Sequence, residues 1–180
     1  MANILWKGPA DTLVRSTLGT TPAGYRMAGT LVTSRAGVPL EIRYVVMTDP
    51  EWRARDVGVH ILGGEPDARL ALAGDGEGTW TLDGNVLPDL AGCLDVVLGF
   101  TPAGETLIVN RLGLEVGDWA VVRALSIGFP GDQVEAVDRA FVRLEKDSYL
   151  ITADGAENEL RLNADGLAVS YGVWEAVASN

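Results

Sequence analysis

Residues 74–102 read GDGEGTWTLDGNVLPDLAGCLDVVLGFTP, and the fold turns on how this stretch is divided. Asp75-Gly76 and Asp83-Gly84 are turn dipeptides, because glycine reaches left-handed backbone conformations without a steric penalty. Between them Gly78–Leu82 predicts one short strand carrying Trp80. Val86–Gly92 is a proline-containing connection with room for one helical turn. Cys93–Phe100 then alternates, with Leu94, Val96, Leu98 and Phe100 on one face and Cys93, Asp95, Val97 and Gly99 on the other, which predicts a second strand. Strand signals flank the stretch on both sides, so any sheet must pass through it.

Upstream, residues 1–23 are weakly patterned apart from Trp6 and a strand signal over Thr12–Leu18. Tyr25–Ser34 and Val38–Met47 are rich in β-formers, and Arg35-Ala36-Gly37 between them predicts a hairpin loop. In the second of these, Leu40, Ile42, Tyr44 and Val46 share a face while Glu41 and Arg43 oppose them, the alternation of a half-buried antiparallel strand. After the breaker Thr48-Asp49-Pro50, a strand from Trp52 to about Leu62 places Arg53, Arg55, Val57, Val59 and Ile61 in one phase. Ala68–Ala73 is a further short strand.

Downstream, Thr106–Leu114 predicts a strand turned at Gly117-Asp118. Trp119–Phe129 predicts another, with Trp119, Val121, Leu125, Ile127 and Phe129 on one face and Arg123 among them. Gln133–Leu144 fits two templates: Val134, Val137, Phe141 and Leu144 form a helical stripe, and Val134, Ala136, Ala140, Val142 and Leu144 a strand face. Local spacing favours the helix. Tyr149–Ala153, Glu159–Leu162 and Leu167–Val177 close the chain as a meander.

About a dozen short strands with turn signals every 8–12 residues imply an all-β chain. An open twisted sheet rarely exceeds ~10 strands, so the sheet must curl and hide its edges. The expected fold is an antiparallel β-roll or barrel-like rolled sheet of about a dozen or more strands with at most one short helix. It forms a single domain over residues 1–180. The chain has 14 basic and 25 acidic residues, a net charge of −11, which argues against nucleic acid and against anionic membranes as partners. One cysteine and one histidine exclude a disulfide framework and a Cys- or His-built metal centre, and no cofactor is implied. No signal peptide and no run of ~18 apolar residues is present, so the expected setting is the reducing cytoplasm.

Arg53 and Arg55 are the sharpest local candidates. Two guanidinium groups at i and i+2 point the same way and suit an anionic head group at the mouth of an apolar pocket. The structural alternative is a surface pair matched to nearby acids, or a phase slip at Gly58 that turns them outward. Arg123 is either paired across the sheet or lines a cavity. His60, Cys93 and Asp95 can be assembled on paper as base, nucleophile and orienter for a small hydrolase or isomerase. No elbow motif or helix N-terminus activates the thiol, and a lone strand cysteine is ordinarily a small buried hydrophobe. Asp75-Gly76-Glu77-Gly78 lacks the ligand spacing of a calcium loop and opens no helix, which leaves a turn. Trp52, Trp80, Trp119 and Trp174 can stack on sugars or pack in the core.

Taken in order, YVVMTDPEWRAR, GDGEGTW, LPDLAGCLDVVLGFTPAGETLIVNRL, SIGFP, RAFVRLEKDSYLI and GLAVSYGVWE resemble the bacterial putative glycolipid-binding family over roughly residues 25–175. The resemblance implies a spiral β-roll, a strand at Gln133–Leu144, and a non-catalytic protein that binds an amphipathic lipid or glycolipid. Val57, Val59, Ile61, Leu94, Val96 and Leu98 would receive the tails. Ligand binding would fall to Trp52, Arg53, Arg55, Trp80, Asp95 and Arg111, with Asp95 also suited to pairing an arginine. Where the family has an acid, this chain has Val97; where it has an Arg-Arg run, this chain keeps Arg111 alone. A ligand-free homodimeric β protein is the third alternative.

Overall fold

The computed structural model describes residues 1–63, 66–130 and 133–180. Among these residues, fifteen strands form one sheet that rolls without closing, accompanied by one α-helix. The N-terminal half is an antiparallel meander: β1 Ala2–Lys7, β2 Leu13–Thr21, β3 Gly24–Arg35, β4 Val38–Thr48, β5 Ala54–Leu62, β6 Ala68–Gly74, β7 Trp80–Leu82 and β8 Asn85–Val86. A 3-10 turn, Pro88–Leu90, leads to β9 Asp95–Leu98 and α1 Ala103–Leu112. The C-terminal half is β10 Trp119–Ile127, β11 Val134–Glu145, β12 Ser148–Ala153, β13 Ala156–Leu162, β14 Ala168–Tyr171 and β15 Trp174–Ser179. Strand β15 pairs with β1, joining the halves, and β9 pairs with β10 as the one parallel pair among the described strands.

The period-2 alternation works as expected in the first half. Met27 and Leu31 of β3, Leu40, Ile42, Tyr44 and Val46 of β4, and Val57, Val59 and Ile61 of β5 are buried on the concave face. Gly29 of β3 makes room there: it pairs with Ser16 on one side and Tyr44 on the other, and their hydroxyls hydrogen-bond to each other across it. Burial drives the Tyr44 phenol up to about 12, against the pull of the Ser16 and Thr101 hydroxyls.

Two elements differ from expectation. Thr106–Leu114 is not a strand; its residues fall mostly in α1, which runs through the roll with Ala103 to Val109 all buried. A helix buried on every side shows no polar stripe, and β-branched Thr106, Ile108 and Val109 mimic a strand. The boundaries were readable: Pro102 at the start and Gly113 in left-handed conformation (φ 53°) at the end. Conversely, Gln133–Leu144 is the long strand β11 rather than a helix, as the family resemblance implies and local spacing does not. Its inward phase is Val137, Arg139 and Phe141, opposite to the Val134, Ala136, Ala140, Val142 and Leu144 face read from the alternation. Pairing with β10 and β12 on both sides overrides the helical stripe.

Helix α1 fills the interior of the roll. Gly104 lets it seat on β9, since a Cβ at this position would stand 2.5 Å from the Val96 carbonyl oxygen. All four residues of β9 are buried. Two indoles tie the layers together, Trp6 Nε1 donating to the Ala168 carbonyl and Trp80 Nε1 to the Cys93 carbonyl, both at 2.8 Å.

Candidate functional site

The residues picked out by sequence form two groups. The first is a corner between β4 and β5. Asp49 Oδ1 accepts the Arg53 backbone N–H at 2.9 Å, and the Asp49 carboxylate lies 3.8 Å from Arg53 and 3.9 Å from Arg55. Trp52 sits in the turn at φ 65°, an uncommon conformation for a bulky residue, with its ring stacked on Tyr25 at 3.5 Å between centroids. The phase slip that frees the arginines lies at Thr48–Ala54 rather than at Gly58, because Met47 pairs with Asp56 and Thr48 with Ala54. Both guanidinium groups reach the Gly76 loop: Arg53 donates to the Gly76 carbonyl at 3.5 Å, and Arg55 lies against the Gly76 α-carbon. That loop is an Asx turn in which Asp75 accepts the Glu77 and Thr79 backbone N–H groups, and these bonds hold its carboxyl down to about 2.

The second group is buried. Arg111 of α1 grips Asp95 of β9 with two bonds of 2.6 Å. Burial nevertheless raises the Asp95 carboxyl above its ordinary value, with Arg111 pulling it back. Trp80 is buried, its indole N–H spent on Cys93. His60 accepts from Arg69 Nε on the outer face of β5, whereas Cys93 is buried and its thiol is pushed up by burial. The His60–Cys93–Asp95 constellation is therefore divided between the two faces of the sheet. Arg123 donates to the Ala91 and Asp89 carbonyls and pins the 3-10 segment against β10. Val57, Val59, Ile61, Val96 and Leu98 are packed core residues.

Sequence reasoning missed a second ion pair and a cleft. Glu105 of α1 accepts from Arg139 of β11 at 3.0 Å, and Arg139 also donates to the Tyr171 hydroxyl at 3.1 Å. Glu105 Oε2 and Arg139 Nε have no partner among the described residues. Burial raises the Glu105 carboxyl, and Arg139 opposes the shift; the Tyr171 phenol rises to about 12, first through burial and then through the Glu105 charge.

The cleft, of about 590 Å³, opens at one end of the roll between the last turn of α1 and the β11–β12 and β13–β14 connections. Its size lies within the usual span of small-molecule sites. The walls are held by their own hydrogen bonds. Asn110 donates to the Thr106 and Gly166 carbonyls, and Asn163 Oδ1 accepts the Asp165 and Leu167 backbone N–H groups. The Arg143 guanidinium donates to the Leu114, Glu145 and Lys146 carbonyls and lies 5.5 Å above the Tyr149 ring centre. Asn110 Oδ1, Asn163 Nδ2, Lys146 and Asp147 keep acceptor or donor capacity that no described hydrogen bond uses. Only spatial assembly creates this set, because its members are scattered from position 109 to 166.

Among the described residues, no three metal-ligating side chains converge and no helix is long and apolar enough to cross a membrane. No curated relative matches the chain. A crystal structure of a DUF1089 family protein from Pseudomonas aeruginosa is similar, with 28% sequence identity, a TM-score of 0.83 and 94% of each chain covered. The family model described as putative glycolipid-binding matches residues 3–175, and the chain belongs to that family.

Proposed function

We propose that the protein binds glycolipids by taking the sugar head group into the cleft at the end of α1, with the lipid chains left outside the roll. The observation that carries this reading is the position of α1, whose buried residues occupy the interior that lipid tails would need. The cleft offers what a polyhydroxylated neutral ligand uses: amide donors and acceptors, one ammonium, one carboxylate, and the apolar edges of Val109, Tyr149 and Leu162. Arg143 is already satisfied by three carbonyls, and the carbonyl end of the helix dipole points here, so an anionic head group gains little. The Trp52, Arg53 and Arg55 corner then serves as a clasp between the β4–β5 turn and the Gly76 loop, and Trp80, Asp95 and Arg111 hold the packed interior.

An array of immobilised glycolipids with varied sugars tests the proposal. Wild-type protein binds a subset that shares a head group, and the N110A/N163A variant loses binding at least about tenfold, the worth of one or two hydrogen bonds. Equal binding by wild type and variant, or binding to no glycolipid on the array, overturns it.

A further inference from the structure

The outer face of strands β2 to β6 departs from the charge of the rest of the molecule. The outer phase of these five strands carries four arginines, Arg15, Arg26, Arg43 and Arg69, and two carboxylates, Glu41 and Asp56, while the other 23 acids lie elsewhere in a chain of net charge −11. The strand register sets several of the cations in one line. Arg15 pairs with Thr30, Thr30 with Arg43, Arg43 with His60, and His60 with Arg69, a row crossing all five strands. At about 4.8 Å per strand this row spans about 19 Å. Beside it runs a parallel row of short side chains, Thr17, Ala28, Val45, Gly58 and Ala71. Arg26 stands on the far side of that second row.

Short side chains between long ones make a trough. Two hollows open along it, of about 460 Å³ and 330 Å³, and Arg26, Arg43 and Tyr44 line both. Arg15 and Arg69 are weakly committed, donating to Asn3 and to His60 at 3.3 Å each, while Arg43 donates through Nε alone to half-buried Glu41 at 2.5 Å. Arg26 has no carboxylate within salt-bridge distance among the described residues. Asp56, one register step beyond the short-chain row, is the other acid on this face.

We propose that this trough is a second binding site, distinct from the cleft, for a small phosphorylated ligand whose phosphate groups are held by Arg26 and Arg43, with Arg15 and Arg69 adding charge at the ends. Guanidinium forks match the oxygen spacing of phosphate and bind it bidentately. The same phosphate chemistry is offered by an anionic bilayer, and the geometry favours the small ligand. The hollows are shallow but of small-ligand size, and the 23 acids outside the face repel an extended anionic surface while a bound ion within about 8–10 Å senses mainly the local arginines.

Titration calorimetry with inorganic pyrophosphate at low salt tests the site. The expected result is saturable binding that weakens with added salt and falls at least about tenfold in R26Q/R43Q. A71E, which sets a carboxylate on the exposed trough floor without touching an arginine, weakens binding similarly, and R161Q, on β13, leaves it unchanged. All these positions are exposed, so the variants keep the fold, which circular dichroism checks. Absence of saturable binding, or equal binding by R26Q/R43Q, overturns the proposal. So does cosedimentation with phosphatidylglycerol vesicles in the absence of pyrophosphate binding, which would assign the face to a membrane surface instead.

Discussion

Glu105 shows what single residues do in this fold. A buried carboxylate is costly unless paired, and Arg139 supplies the pair from a strand 34 residues away in sequence. Removing one partner leaves an uncompensated buried charge, so E105A is expected to lower unfolding free energy by about 3–5 kcal/mol in chemical denaturation. The pH dependence has a definite sign. Glu105 and Asp95 both have raised folded-state carboxyls, so the folded chain binds protons more tightly than the unfolded one. Their contribution to stability is greatest in acid and declines as pH rises from the ordinary values of 4.5 and 3.8 through the folded ones. Melting curves of E105Q should lack the Glu105 share of this decline; an unchanged pH slope contradicts it. Gly29 is limiting for a different reason. A Cβ there would stand 2.6 Å from both the Ser16 and Tyr44 hydroxyl oxygens, so G29A should cost about 1–3 kcal/mol by the same denaturation measurement. None of these contacts could be read from sequence, because pairing partners are set by strand register and not by spacing. Asp95 came nearest: its suitability as an arginine's partner was legible, and Arg111 is that partner.

At the scale of elements, α1 converts a rolled sheet into a filled one. Its seat on β9 depends on Gly104, and G104V should displace the helix and lower the melting temperature more than I108A. The latter removes buried methyl groups from a fully buried position at a cost of about 2–5 kcal/mol. Comparable melting temperatures for G104V and wild type would show that the helix does not rest on β9. Strands flanking one buried face, such as β4 and β5, were legible from alternation alone. Helix α1 and strand β11 were not. The helix is buried on every side from Ala103 to Val109, with Glu105 among the buried residues, and the strand is half-buried on both faces, and in each case the period of the pattern disappears.

For the whole molecule, the sheet manages its edges by position. One end is the two-residue strand β8 and the other is β9, buried within the roll. The joint between β1 and β15 brings residues 4–7 against 175–179, so the continuity of the sheet from its N-terminal to its C-terminal half depends on this one strand pair. Deleting residues 174–180 should expose the free edges of β1 and β14 and drive aggregation, visible as early-eluting material in size-exclusion chromatography; a monomeric truncation would show that the joint is dispensable. The sheet also separates two chemistries, an arginine-lined outer face over β2–β6 and a polar cleft where α1 ends. That the interior is occupied and the head group binds at the roll's end can be tested directly by titrating isotope-labelled protein with a panel of short-chain alkyl glycosides below their micelle concentrations, reading amide chemical shifts. Saturable shifts are expected at Asn110, Lys146, Asp147 and Asn163 with at least one glycoside, and none along Val57–Ile61 or Val96–Leu98. Shifts along those buried strands would mean that the roll opens to admit the chain, and no saturable shift with any glycoside would contradict the cleft as a sugar site.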